Sequence, residues 1–245
     1  GGIFGLGGIF GLGGIFGLGG IFGLIAYYLR TKLVEIKQFQ PFIKDEYSIP
    51  LIKTLCLNPW NLFYSCVIVS FGAVVFVVMV VYLPTYITSI LQIHIDNLPW
   101  IVSGFILLLS VMCVLVGALS DKYGRNKILV INCVLVFIGG FVVYYIYTSH
   151  MSLYLLALFI ISVVCALAWG NIPAMLCEKF SSDVKYSSIG FAYNIGFAVF
   201  GGLVPLIVTG FIKYSSYNMV PAYILGVVSL ITLVTIVIDK KISTK

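Results

Sequence analysis

The sequence predicts an all-α transmembrane protein of about seven spanning helices, and three observations predict it. Of 245 residues, 61% are hydrophobic and only 9% charged, with a mean hydropathy of +1.15, more apolar surface than one water-soluble core can hide. The apolar residues come in uncharged runs of the length that carries a helix across ~30 Å of hydrocarbon. Lys and Arg collect in alternate links between those runs, the pattern that orients a membrane protein.

The runs fall at about 1–29, 61–90, 98–120, 128–148, 151–177, 188–212 and 219–238. They divide the chain into a Gly-rich repeat with the first span (1–29), a linker (30–60), a six-helix bundle (61–238) and a short tail (239–245). Residues 1–24 are four copies of Gly-Gly-Ile-Phe-Gly-Leu. Six residues turn a helix by about 600°, so successive copies are rotated by roughly 240° and the repeat forms no single face. Its glycines weaken a helix by about 1 kcal/mol each relative to Ala, while a bilayer penalises any unpaired backbone. The repeat therefore reads as a low-complexity expansion of an ordinary span. A sequence that starts without Met is expected to be a piece of something longer.

Residues 30–60, with Pro41, Pro50, Pro59 and mixed charge, read as a linker. The later links are short, and Ser149-His150 leaves almost nothing between two spans, so successive helices are expected to be antiparallel neighbours. Arg30, Lys32, Lys37, Lys44 and Lys53 precede the second span; Lys122, Arg125 and Lys127 precede the fourth; Lys179 and Lys185 the sixth; Lys240, Lys241 and Lys245 close the chain. The other links hold only Lys213. The basic links are expected on the cytoplasmic side, with the N-terminus outside and the C-terminus inside. The net charge of +6 is thus a topology signal, and the expected partner is the lipid bilayer, not nucleic acid.

Six cysteines without CxxC spacing read as packing residues, and His94 and His150 have no ligand-spaced neighbours, so neither metal nor cofactor is expected. The chemistry concentrates at 117–127, Gly-Ala-Leu-Ser-Asp-Lys-Tyr-Gly-Arg-Asn-Lys, where four charges and two glycines link two apolar runs. Ser120 or Asp121 can accept bonds from free backbone N–H groups, and Gly117 and Gly124 permit close approach and a tight turn. A generic basic link would not need glycines and an acid at these intervals.

Gly117, Leu119, Asp121, Gly124, Arg125 and Lys127 match in spacing the loop Gly-x-Leu-x-Asp-x-x-Gly-Arg-x-basic, and this resembles the signature of the major facilitator superfamily. Leu83-Pro-Thr-Tyr-Ile87, the run Ala192 to Pro205 and Pro221-Ala-Tyr-Ile-Leu225 are similar to the C-terminal half of metabolite:proton symporters of the proline/betaine type. Tyr28 to Leu33 resembles the exit from that family's sixth helix. The resemblance covers about 25–240 and implies helices 6–12 of a twelve-helix fold. It implies that Gly117, Asp121, Gly124, Arg125 and Lys127 form a gating motif that biases the carrier between outward- and inward-open states. Asn126 stands where a further basic residue is common, and the helix that faces this copy of the motif belongs to the N-terminal half.

No Asp, Glu, Lys, Arg or His falls in the middle of a span, which excludes a retinal-type receptor, most intramembrane hydrolases and a complete proton relay within these residues. Neutral and aromatic groups remain. Trp169 and Asn171, with Pro173, cluster late in the fifth span, and Tyr193 and Asn194 lie early in the sixth. Their aromatic faces suit a quaternary ammonium, with an Asn to orient a carboxylate; interhelical bonding for the Asn residues and interface anchoring for Trp and Tyr is the somewhat stronger reading. Ala192/Gly196 and Ala198/Gly202 have spacing for close helix packing, and Pro205 softens its helix. The sequence thus reads as a secondary active transporter, or its C-terminal half. It would carry a small zwitterionic or organic-acid metabolite with protons in a bacterial-type inner membrane. A non-transporting remnant, or a partner subunit needing a separate N-terminal half, is the second reading, and a seven-helix receptor a weaker third.

Overall fold

Residue 59 onward forms a bundle of long apolar helices in which backbone pairing, the first requirement of a hydrocarbon environment, is met almost wholly within each helix. The computed structural model describes residues 23–24, 27–29, 55, 59–95, 97–182, 184–215 and 217–243. The chain divides into two units, 1–46 and 47–245, and the bundle belongs to the second. The expected first span, the Gly-rich repeat and the linker fall largely outside the described residues. Among the described residues all regular structure is helical, and six helices are long and apolar enough to cross a membrane.

The helices are α1 (Pro59–Phe76), α2 (Leu98–Tyr123), α3 (Arg125–Ser149), α4 (Tyr154–Trp169), α5 (Ile172–Lys179), α6 (Lys185–Asn194), α7 (Gly202–Ser215) and α8 (Val220–Ser243). Three expected spans are compound. The span at 61–90 begins as α1 and widens into π turns at Val77–Val81 and Tyr86–Ile90, on either side of Leu83–Thr85. Pro84 has no N–H to offer the preceding turn, and a wider turn accommodates its ring. The span at 151–177 breaks at Gly170 and Asn171 between α4 and α5, with Pro173 in the first turn of α5, where a missing N–H costs nothing. The span at 188–212 joins α6 to α7 through a π segment, Ile195–Gly201, upstream of Pro205. The last helix runs past the expected boundary at 238 to Ser243.

The centre of the bundle is α1 with the π turn that follows it: Ile68, Val69, Phe71 and Val75 of the helix and Val78 and Met79 of the turn are completely covered. At the opposite extreme, α2 exposes Leu107, Val114 and Leu115, side chains suited to lipid tails. The end of the bundle that carries Pro84 is closed by hydroxyls. Tyr144 donates to the carbonyl of Val78 inside the π turn (2.9 Å), Tyr86 donates to the Asn218 carbonyl (2.8 Å), and the Tyr82 and Thr209 hydroxyls lie 2.8 Å apart.

Close packing in the sixth span differs in detail from the expected pairs. Ala192 is fully covered, and a Cβ on Gly196 would stand 2.6 Å from Val69 Cγ1 and 3.0 Å from the Val69 carbonyl carbon. Gly201, not Gly202, continues that face, against Ala73 and Val77; Ala198 and Gly202 are exposed. The π segment is the cause, because its extra residue per turn brings positions five apart onto one face, where an α-helix would align positions four apart. Gly196→Ala is expected to push α1 outward and destabilise the bundle by about 1–3 kcal/mol. Gly210→Ala, in open space, should be neutral or stabilising by up to ~1 kcal/mol. Thermal unfolding of the two purified variants in detergent checks the contrast.

Candidate functional site at the charged end of the bundle

The segment 117–127 is almost entirely helical. The end of α2 and the start of α3 are separated by Gly124 alone, whose φ of 96° and ψ of 130° lie in a region that a side chain disfavours. The link expected between spans ending at 120 and starting at 128 is therefore one residue long. Across that residue the Arg125 guanidinium reaches back to Asp121 at 2.7 Å. Its Nε donates to Glu178 Oε1 on α5 at 2.7 Å, and its Nη1 to the hydroxyl of buried Ser120 at 3.3 Å. Arg125 is thus gripped from α2 and α5 at once, and its own carbonyl accepts a 2.9 Å bond from Asn171 Nδ2 at the α4–α5 break.

Gly117 lies where α2 crosses that break. A Cβ there would meet the Gly170 carbonyl at 3.5 Å, an ordinary contact, whereas one on Gly170 would lie 2.6 Å from the Cys113 carbonyl and 3.0 Å from Val116 Cβ. The steric demand falls on Gly170, which the motif pattern does not include. Beside these groups opens a cavity of about 540 Å³ that Ser120, Arg125, Asn126, Lys127 and Tyr64 help to line. Lys127 therefore lines the same space as Asp121 and Arg125.

A second ionic cluster adjoins the first. Lys179, the neighbour of Glu178, donates to both carboxylate oxygens of Asp239 on α8 at 2.7 and 2.8 Å, and Trp60 Nε1 donates to the same carboxylate at 3.0 Å. The Lys179 ammonium stands 4.4 Å from the centre of the Tyr64 ring, a cation–π contact. The environments of the two clusters differ. Asp121 and Glu178 side chains are 63% and 62% exposed, while that of Asp239 is 6% exposed. Water screens the Arg125 pairs and leaves them exchangeable, whereas separating a buried pair strands a charge.

The four candidates for substrate contact separate into different surroundings. Trp169 and Tyr193 come together with Phe76 and Phe197: ring centres lie 6.3 Å from Trp169 to Tyr193, 5.4 Å to Phe197 and 6.2 Å to Phe76, and Tyr193 stacks on Phe197 at 9°. Asn171 is fully buried and turned to Arg125. Asn194 is exposed and donates to its own helix at Gly190 (2.8 Å). Trp169 Nε1 and Asn171 Oδ1 are both buried without a hydrogen-bond partner. Sequence reasoning missed Asn132, a buried residue of α3. Its carboxamide, oriented to satisfy both groups, donates to the Val164 carbonyl (3.0 Å) and accepts from the Ala168 N–H (3.1 Å), one turn of α4 just ahead of the break. Its signal was an amide in an otherwise apolar run.

A bundle of apolar helices, six of them long enough to cross a bilayer, defines an integral membrane protein. The match to the Major Facilitator Superfamily extends over residues 1–205, and the chain belongs to that family. It is 24% identical over 219 residues to a putative proline/betaine transporter of Staphylococcus aureus (strain COL), an alignment covering 85% of this chain and 46% of that protein. It is also 24% identical to the proline/betaine transporter of Escherichia coli (strain K12) over 235 residues, 91% of this chain and 47% of the relative. The Staphylococcus haemolyticus (strain JCSC1435) relative, a putative proline/betaine transporter, gives 24% over 227 residues, 88% and 47%. The chain thus spans about half the length of these relatives. No solved structure matches it.

The two ionic clusters should respond unequally to substitution. Lys179→Met, which leaves Asp239 buried with Trp60 alone, is expected to cost about 3 kcal/mol or more, and Asp121→Asn less than ~1 kcal/mol. Thermal unfolding of the detergent-purified variants reads the difference, and equal losses would contradict it.

Proposed function

We propose that this chain is the C-terminal half of a secondary active transporter that works by alternating access, with the Arg125 clasp as a gate on its cytoplasmic face. The observation that carries the reading is that one half-buried guanidinium holds two exposed carboxylates from different helices. Such links are cheap to exchange, so a facing helix bundle that offers new partners can shift the balance between two states. Gly117, Asp121, Gly124, Arg125 and Lys127 are the gating residues in this reading, joined by Glu178.

The basic residues support the sidedness. Lys122, Arg125, Lys127, Lys179, Lys185, Lys240 and Lys241 lie at the ends of their helices, at the charged end of the bundle, while Lys213 ends α7. By the positive-inside rule the charged end faces the cytoplasm of a bacterial-type inner membrane, which puts the N-terminus outside. The substrate is a small zwitterion or organic acid. Trp169 and Tyr193, with Phe76 and Phe197, offer ring faces to a cationic group, and the names of the relatives support that class. Coupling to protons is assigned to a carboxylate of the N-terminal half, because Asp121, Glu178 and Asp239 are engaged at the charged end.

A second reading is favoured by the share of the relatives that the chain spans: a partner subunit that transports only beside a separately encoded N-terminal half. Proteoliposomes with the chain alone, and with a relative's N-terminal half added, distinguish the two when loaded against labelled proline, betaine and an organic acid. In whichever preparation accumulates substrate, Asp121→Asn is expected to change the initial rate by roughly tenfold, a barrier change of about 1.4 kcal/mol. Unchanged uptake at unchanged protein level would defeat the gate.

A further inference from the structure

We infer that Asp239, near the end of α8, is a positioning residue for the gate: through Lys179 it fixes the orientation of α5 and so holds Glu178 where it can grip Arg125. Glu178 and Lys179 are consecutive, and consecutive residues of a helix point about 100° apart. Fixing one of them against the bundle therefore fixes the direction of the other. Lys179 is the fixed one. Its ammonium makes two bonds to Asp239 and lies on the Tyr64 ring, so α5 is tied to α8 and α1 together. Trp60 adds a third bond to the same carboxylate from the first turn of α1.

Asp239 is the one acid among the described residues that is buried, at 4% exposure, and all its described partners are donors. The helix carrying Glu178 needs such a tether. It is eight residues long, begins after a break, and its last residue passes directly into extended backbone at Phe180, so its own hydrogen bonds constrain it weakly. The carboxylate of the Lys179 pair is buried and that of the Glu178 pair exposed, so the first pair is held more firmly and the second exchanges more readily. This division lets the gate open at Arg125 without α5 leaving the bundle.

The test needs no substrate. Hydrogen exchange of the 172–179 amides is measured on the full chain in nanodiscs for Glu178→Gln, Asp239→Asn and the double variant. Glu178→Gln and Asp239→Asn are each expected to speed exchange by roughly threefold or more, with the double variant no faster than Asp239→Asn alone, because residues acting through one another are non-additive. Asp239→Glu is expected to keep the slow exchange. A double variant in which Glu178→Gln adds its full factor to that of Asp239→Asn overturns the inference, since the two sites would then act independently. So does an Asp239→Asn variant that exchanges faster everywhere except 172–179. Should Asp239→Asn fail to fold, Trp60→Phe removes a single bond from the carboxylate, and the same cycle with Glu178→Gln gives the same two outcomes.

Discussion

Within hydrocarbon no water is available to a backbone N–H or C=O, and this one constraint explains most of what is unusual about the bundle. Uninterrupted helices satisfy it automatically. At three departures from a regular helix, a side chain from a neighbouring element bonds the backbone. The π turn at Val77–Val81 gives its Val78 carbonyl to Tyr144. The end of α4 is gripped by Asn132 through one N–H and one carbonyl, and the first carbonyl of α3 accepts a further bond from Asn171 at the neighbouring break. These irregularities are therefore also ties between helices.

The charged end follows a different logic, because its outer groups reach water. Five helices converge there, and the charges sort by depth. The shallow Asp121 and Glu178 share one guanidinium, and the deep Asp239 has an ammonium and an indole to itself. The physics of screening gives these two arrangements different lifetimes, short at the surface and long beneath it. A gate needs both kinds: a link that yields and a frame that does not.

Much of this was legible in the residues. Hydropathy located the six described spans to within a few residues, and the spacing of Asp121, Gly124 and Arg125 singled out the clasp. The compound character of three spans was signalled by Pro84, Pro173 and Pro205, but a proline does not say which device absorbs it, and π turns leave no mark in hydropathy. Glu178 and Asp239 escaped notice because each sits at a helix end, where an acid is ordinary; only the fold shows that one faces Arg125 and the other is buried. Asn171 read as a candidate substrate contact from its place near Trp169; two residues along a helix is a turn of about 200°, and across the irregular break the two side chains meet different neighbours.

The three tryptophans occupy three unlike settings. Trp60 is hydrogen-bonded to a carboxylate, Trp100 is 79% exposed at the start of α2, and Trp169 is ringed by Phe and Tyr with its indole nitrogen unpaired. An indole's emission colour follows the polarity and hydrogen bonding around it, so the protein carries its own optical probes: one in the ionic frame, one at the far surface and one inside the aromatic cluster. Light collected from the unmodified chain therefore distinguishes a loosened Asp239 cluster from a disturbed aromatic cluster.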